Sequence, residues 1–260
     1  MFYVFIVFIF GIFIGSFLNV VIYRLHRQES FVKGFSKCLF CGHRLHTKDL
    51  VPLFSYLWLR GHCRYCKQKF SGQYFLVELA TALGFVLLYW RFLPAGLVAA
   101  SNMDIWQLWF GFTMLAFLII IFVYDFRYYL ILDSVILPAI ILAFIFNLSL
   151  GANFFNLLLA AVLASGFFLL QFVISKGAWI GGGDIRLGFL MGAILGWPQI
   201  LTALFLSYII GSIFSIGLLL AKKKGMSDKV PFGTFLSLAT FITMLYGPEI
   251  IDWYLTLFNF

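Results

Sequence analysis

Apolar residues run almost unbroken through most of this chain, and the polar positions gather in short clusters between the runs. The apolar stretches cover residues 2–22, 74–93, 106–124, 130–149, 153–174, 187–197, 199–221 and 231–247. A bilayer crossing takes about 20 predominantly apolar residues, so the pattern predicts about eight transmembrane helices. The sixth is short, and Trp197-Pro198 separates it from the seventh. The expected fold class is therefore an all-α polytopic membrane protein with a small polar loop domain between helices 1 and 2. Its expected parts are a first transmembrane helix (1–22), a cytoplasmic loop (23–73) and a transmembrane core (74–260).

Composition agrees with this reading. The 260 residues are 63% hydrophobic and only 11% charged, where a soluble domain carries about a quarter charged residues. A secreted enzyme, a cytosolic α/β enzyme and a disordered regulator are excluded. A transporter, an assembly factor and an intramembrane enzyme are not. The net charge of +8 points to topology and not to nucleic acid, because ten of the 18 basic residues lie between Arg24 and Lys69 and most others fall in short gaps between apolar runs. With the N-terminus outside and the first loop cytoplasmic, eight crossings put Arg127, Lys176, Arg186, Lys222, Lys223, Lys224 and Lys229 inside as well. Only Arg91 then lies near the outer face, which is the asymmetry of the positive-inside rule. The stretch 1–22 lacks a basic region before its apolar run and a small-residue cleavage site before Arg24, so it reads as a retained anchor.

The polar loop holds all four cysteines, as Cys38-Leu39-Phe40-Cys41 and Cys63-Arg64-Tyr65-Cys66. Two CxxC turns, each pointing its sulfurs to one side, bring four thiolates to a tetrahedral metal, and Gly42 permits a tight turn after the first pair. A reducing cytosol disfavours disulfides. A four-cysteine zinc site is closed, hence structural, and Lys37, Arg44, Arg64 and Lys67 offset its charge. A redox CxxC or four unrelated thiols are the alternatives. His26, His43, His46 and His62 lie in the same loop as substitute ligands or solvated residues.

Acidic residues are few. Asp125 closes the third apolar run, Asp133 follows two helical turns later, and Asp184 follows Gly181-Gly182-Gly183. On this topology Asp125 and Asp184 share one depth near the cytoplasmic boundary. Close carboxylates cannot both ionise easily, so a pair shares a proton. The ionised member draws a proton from water while the other hydrogen-bonds a peptide carbonyl oxygen. The glycines allow close backbone approach by a helix or a substrate. Three readings stay open here: a paired-carboxylate enzyme, helix caps and ion pairs (Asp184 with Arg186, Asp125 with Arg127), or a proton or ion pathway. Glu78 is a third intramembrane carboxylate, with a snorkelling interfacial role as its alternative.

Taken in order, these motifs resemble the type IV prepilin peptidases, bacterial inner-membrane aspartic proteases of the GxGD type. The resemblance rests on 15–25 (GSFLNVVIYRL), the paired CxxC loop, 60–66 (RGHCRYC), 73–78 (QYFLVE), Asp125 with Asp133, 181–184 (GGGD), 196–198 (GWP) and 231–236 (PFGTFL). It implies cleavage of the short basic leader of type IV prepilin or pseudopilin precursors at the cytoplasmic face, with Asp125 and Asp184 catalytic. It implies supporting positions at Asp133, Glu78 and the three glycines, and N-methylation with S-adenosylmethionine in members that carry the cysteine loop. No residue of the sequence is assigned to the methyl donor. Leu132 stands where the family commonly has Pro, Arg127-Tyr128 replace a more acidic or polar pair, and the first CxxC lacks the Pro often found after its first Cys, Cys38. None of these removes a catalytic group. The rival classes are a non-catalytic assembly factor that docks through its zinc loop and a transporter with carboxylate relays.

Overall fold

The computed structural model describes residues 1–30, 34–221 and 230–257. Lys33, Lys222, Lys223, Lys224 and Lys229, counted above for topology, lie outside the described residues. The described chain is helical: α1 (Phe2–His26), α2 (Phe54–Trp58), α3 (Gln73–Phe92), α4 (Asn102–Tyr128), α5 (Asp133–Ser149), α6 (Phe154–Ile174), α7 (Gly182–Leu195), α8 (Gln199–Leu220) and α9 (Phe232–Leu257).

Every expected apolar run forms a helix, and among the described residues six of those eight have the length of a bilayer crossing. Six helices (α1, α3, α4, α6, α8 and α9) are long and apolar enough to cross a membrane. The other two are short: α5 has 17 residues and α7 has 14. At about 1.5 Å per residue α7 is roughly 21 Å long, less than the roughly 30 Å of a hydrocarbon core. The sequence placed the start of α7 near 187, whereas the helix begins five residues earlier because the glycines before Asp184 are drawn into it. Large apolar side chains stay exposed on these helices, among them Phe13, Phe205, Ile213 and Leu220, as a lipid-facing surface requires.

The chain divides into two units, Met1–Ala100 and the remainder from Ser101 onward. Between membrane helices lipid removes the hydrophobic drive, and small residues that let backbones meet take its place. In the first unit Gly11 and Gly15 supply that contact. A Cβ at Gly11 would fall 2.6 Å from the Ala82 Cα, and one at Gly15 would fall 2.7 Å from the Glu78 Cα. α1 therefore lies hard against α3. The loop is pinned to this pair by Leu53, which packs with Ile12 and Ala82.

In the second unit the same device joins α7 to α6. A Cβ at Gly192 would sit 2.3 Å from the Ala161 backbone nitrogen, and Gly188 meets Phe168 and the Ala164 carbonyl. Helix ends are closed by side chains from neighbours. Asn147 of α5 donates its amide N–H to the carbonyl of Ala193 at 2.8 Å, satisfying an orphan acceptor at the end of α7. Asn156 of α6 accepts the Trp197 N–H at 2.9 Å and donates to the Trp197 carbonyl at 3.2 Å, holding the α7–α8 turn. These fixings set the depth at which the start of α7, with Asp184, is held.

Candidate functional site

Asp125 lies in the last turn of α4. The helix ends where Tyr129 takes a left-handed conformation (φ 55°), and the Tyr129 N–H donates to the Asp125 carbonyl at 2.8 Å. The Asp125 side chain turns to the start of α9. Its Oδ2 accepts the Thr234 N–H at 2.8 Å and the Thr234 hydroxyl at 3.2 Å. A helix N-terminus offers unpaired N–H groups and a positive dipole end to a carboxylate. Gly233 is needed there, since a Cβ would come within 3.0 Å of Asp125 Oδ2 and 2.9 Å of Ile131 Cδ1.

Asp184 lies in the first turn of α7, and its Oδ2 accepts the Gly181 N–H at 3.0 Å. The cap expected as an alternative reading is thus present, but it occupies one oxygen only. Gly183 has Ile131 against it, with a would-be Cβ 2.9 Å from the Ile131 Cβ. Ile131, in the link between α4 and α5, thereby touches the glycine beside each aspartate. The carboxyl of Asp184 lies within electrostatic reach of Asp125. Both are nearly buried, 5% exposed for Asp125 and 8% for Asp184. Two buried carboxylates on different helices are thus each anchored through Oδ2 by the opening turn of a helix, with Ile131 against the glycine beside each.

The two ion pairs expected for these aspartates are not the ones formed. Arg186 forms its ion pair with Asp133 at the start of α5 and donates from Nε to the Gly182 carbonyl at 3.4 Å. Arg127 instead has its guanidinium over the Tyr128 ring, 5.6 Å from the centroid. Asp133 therefore joins the start of α5 to α7 two residues past Asp184. Gly182 has open space where a Cβ would stand, and Gly181 has Asp184 Oδ2 at 3.5 Å.

Glu78 belongs to the first unit. It is 7% exposed, and its Oε2 accepts the Leu53 N–H at 2.7 Å. Leu53 has φ 60° and opens α2, so Glu78 fastens the loop to α3. The snorkelling role considered for it does not apply to a side chain so covered.

The four cysteines converge. The Sγ atoms of Cys38, Cys41, Cys63 and Cys66 all lie within 4.8 Å of one another, and those of Cys38 and Cys66 are 3.8 Å apart. A tetrahedral ion with metal–sulfur bonds of about 2.3 Å separates its ligands by about 3.8 Å, so the group is able to hold one. Each pair sits on a tight turn. The N–H of Gly42 donates to the Cys38 carbonyl and that of Lys67 to the Cys63 carbonyl, both at 3.0 Å. Gly42 (φ 70°) and Lys67 (φ 59°) occupy the same left-handed position after their second cysteine. For Cys38 burial opposes ionisation, but the N–H groups of Cys41 and Phe40 and the facing thiols bring it down to about 7. For Cys66 the Gln68 N–H favours the thiolate, yet desolvation and the facing sulfurs push it up to about 12. One thiol is poised to ionise and its neighbour resists, so full deprotonation calls for a cation at the centre.

Asp49 braces the second turn against the first. It accepts from Arg64 Nε at 2.6 Å and from the Tyr65 hydroxyl at 3.1 Å, and the Tyr65 ring lies 3.7 Å from that of His43. Burial works against the charge of Asp49, but Arg64, the His46 N–H and Tyr65 outweigh it and hold the carboxyl below the usual carboxylate range. Asp49→Asn is expected to cost the loop about 1–2 kcal/mol. A folded-state value below the unfolded one gives stability that is present above pH about 4 and lost as pH falls through the folded value. The difference in proteolytic resistance between wild type and variant is therefore full at pH 7 and vanishes in acid. A difference that persisted unchanged in acid would exclude this role.

Among the described residues, six helices are long and apolar enough to cross a membrane, two aspartates are buried on separate helices, and four thiols converge closely enough to hold an ion, a combination that suits a multi-pass membrane enzyme. Comparison with known proteins narrows this. Residues 9–92 match the Bacterial Peptidase A24 N-terminal domain, and residues 112–216 match the Type IV leader peptidase family. The chain is 33% identical to the prepilin leader peptidase/N-methyltransferase of Aeromonas hydrophila over 97% of its own length and 94% of that protein. It is 32% identical to the Pseudomonas putida protein of the same name, over 92% of this chain and 89% of that one. For the Bacillus subtilis protein of that name the identity is 29%, over 96% and 97%. No solved structure matches. The chain belongs to the type IV leader peptidase family.

Proposed function

We propose that this chain is an integral-membrane aspartic endopeptidase of the GxGD type that removes the short basic leader from type IV pilin-like precursors and methylates the new N-terminal amine. The observation that carries the reading is the pairing of Asp125 and Asp184, buried on separate helices and each held through Oδ2. The names of the relatives support the substrate and the second activity. In the cleavage step one aspartate, ionised, takes a proton from water as the water oxygen bonds to the peptide carbonyl carbon. The other, protonated, gives its proton to the carbonyl oxygen. Collapse re-forms the carbonyl and breaks the C–N bond, and the amine leaves with a proton. A helical amide is shielded, so the precursor unwinds beside the aspartates first. Asp133 holds Arg186, and Gly181, Gly182 and Gly183 let backbone come close.

The lysine and arginine asymmetry supports a bacterial inner-membrane protein with eight crossings, α5 and α7 being the two short ones. The N-terminus lies outside, and the loop and the aspartates lie at the cytoplasmic face, in contact with membrane lipid. Residues 1–22 form the first crossing, 23–73 the loop and 74–260 the peptidase core. Cys38, Cys41, Cys63 and Cys66 hold a structural zinc ion. Chain purified in detergent is expected to convert a pilin-like precursor to leader and mature protein, seen as a mass loss equal to the leader. An unchanged precursor mass under conditions where a known relative cleaves it would overturn the reading. Thr234→Val keeps the backbone N–H to Asp125 and removes the hydroxyl bond, worth about 1 kcal/mol. It is expected to lower kcat/KM roughly fivefold, and no change would exclude a part for the hydroxyl.

A further inference from the structure

The first unit contains a cavity of about 640 Å³ between α1, the cysteine loop and α3. That volume suits a small molecule of nucleoside size. Every described residue of its wall lies between Ser16 and Glu78, inside the stretch that matches the Bacterial Peptidase A24 N-terminal domain. The wall contains three buried groups of unlike charge, which are Asn19 (3% exposed), Glu78 (7%) and Arg24 (9%), and Arg24 also donates to the carbonyls of Ser30 at 2.9 Å and Phe35 at 3.4 Å. Buried polar groups are costly unless paired, and one here is not. The Asn19 amide donates an N–H to the Tyr74 carbonyl at 3.0 Å, while its buried Oδ1 has no hydrogen-bond partner. Aromatic rings of Tyr56 and Phe70 complete the wall.

We infer that this cavity is the binding site for S-adenosylmethionine, with Asn19, Arg24 and Glu78 as its polar contacts, an inference that rests on the methyltransferase half of the function proposed above. The chemistry is complementary group by group. A carboxylate suits the sulfonium and ammonium charges, a guanidinium suits the amino-acid carboxylate, an orphan carbonyl accepts an amine or hydroxyl proton, and aromatic rings stack on adenine. A lipid headgroup is a poorer match, because a phosphate at the wall faces the buried Glu78 carboxylate. In the transfer itself the amine nitrogen's lone pair forms the new N–C bond. The S–C bond breaks with its pair going to sulfur, and the proton from nitrogen passes to water.

The test uses full-length, zinc-loaded protein in detergent. Calorimetric titration with S-adenosylmethionine is expected to give one site per chain. Glu78→Gln, which keeps an acceptor for the Leu53 N–H, and Asn19→Leu are each expected to weaken binding about tenfold. Retention of one zinc per chain in the variants separates this from misfolding. Photocrosslinking with the methyl-labelled donor is expected to label a peptide within 16–78. Label confined to residues beyond 101, or variants that bind as wild type does, would overturn the cavity assignment and leave the methyltransferase reading standing. No binding at all by a chain that cleaves its precursor would overturn both.

Discussion

Asp125→Asn and Asp184→Asn are each expected to lower kcat/KM for precursor cleavage by about 10³-fold or more, with the protein still folded. The size follows from the step removed, since neither amide can take a proton from water or give one to the carbonyl, and acid–base groups supply 10²–10⁴-fold. The effects are not additive, because one aspartate without the other has no proton to exchange. The fold is spared for a structural reason. Asn retains a carbonyl oxygen at each site, able to accept the Thr234 N–H at position 125 and the Gly181 N–H at position 184. Both helix N-termini keep their caps, so thermal unfolding is expected to stay near the wild-type value. Cleavage by either variant at the wild-type rate would give the aspartates independent roles. The assembly factor or the transporter would then be the better description.

How much of this is written in the sequence depends on the reach of each interaction. Apolar runs and breakers are local signals, and each run became a helix. Bilayer length is not so local, and α7 falls short because its apolar stretch is cut at Gly196 and begins among glycines that cap it. The cysteine group was legible because CxxC spacing fixes each pair by itself, and four thiols in one loop have little else to meet. Asp125 and Asp184 stood out because carboxylates are scarce among apolar residues. Their partners did not. Thr234 is 109 positions from Asp125, and no periodicity links a helix end to a later helix start. The pairing of Arg186 with Asp133 in place of Asp184 has the same cause. Nearness in sequence favoured Asp184, but α7 turns Arg186 towards α5. Ile131 between the two glycines and the cavity beside Asn19 are products of packing, with no sequence signal beyond the small residues that allow them.

Removal of the metal is the other change expected to have a large effect. Wild-type protein purified under reducing conditions is expected to carry one zinc per chain, and Cys63→Ser to weaken its retention at least about 100-fold. Cys63 is the ligand to change because it is 1% exposed and its turn, closed by the Lys67 N–H, carries Arg64 and Tyr65 onto Asp49. Without the ion, the two turns are expected to loosen, held only by the Asp49 contacts to Arg64 and Tyr65 and by the Tyr65 ring against His43. Among its described residues the loop has little apolar core beyond Leu53 against Ile12 and Ala82, so a bound metal is expected to supply most of its stability, as in other small metal-held domains. Chelation is therefore expected to open the loop to protease between about residues 27 and 72, between the end of α1 and the start of α3. The helices from Ser101 onward are expected to stay protected, since they form a compact unit of their own. Loop residues form much of the cavity wall, so S-adenosylmethionine binding is expected to fall with the zinc and return when it is restored. A metal-free protein whose loop resists protease as well as the loaded form would mean that the four thiols serve another end.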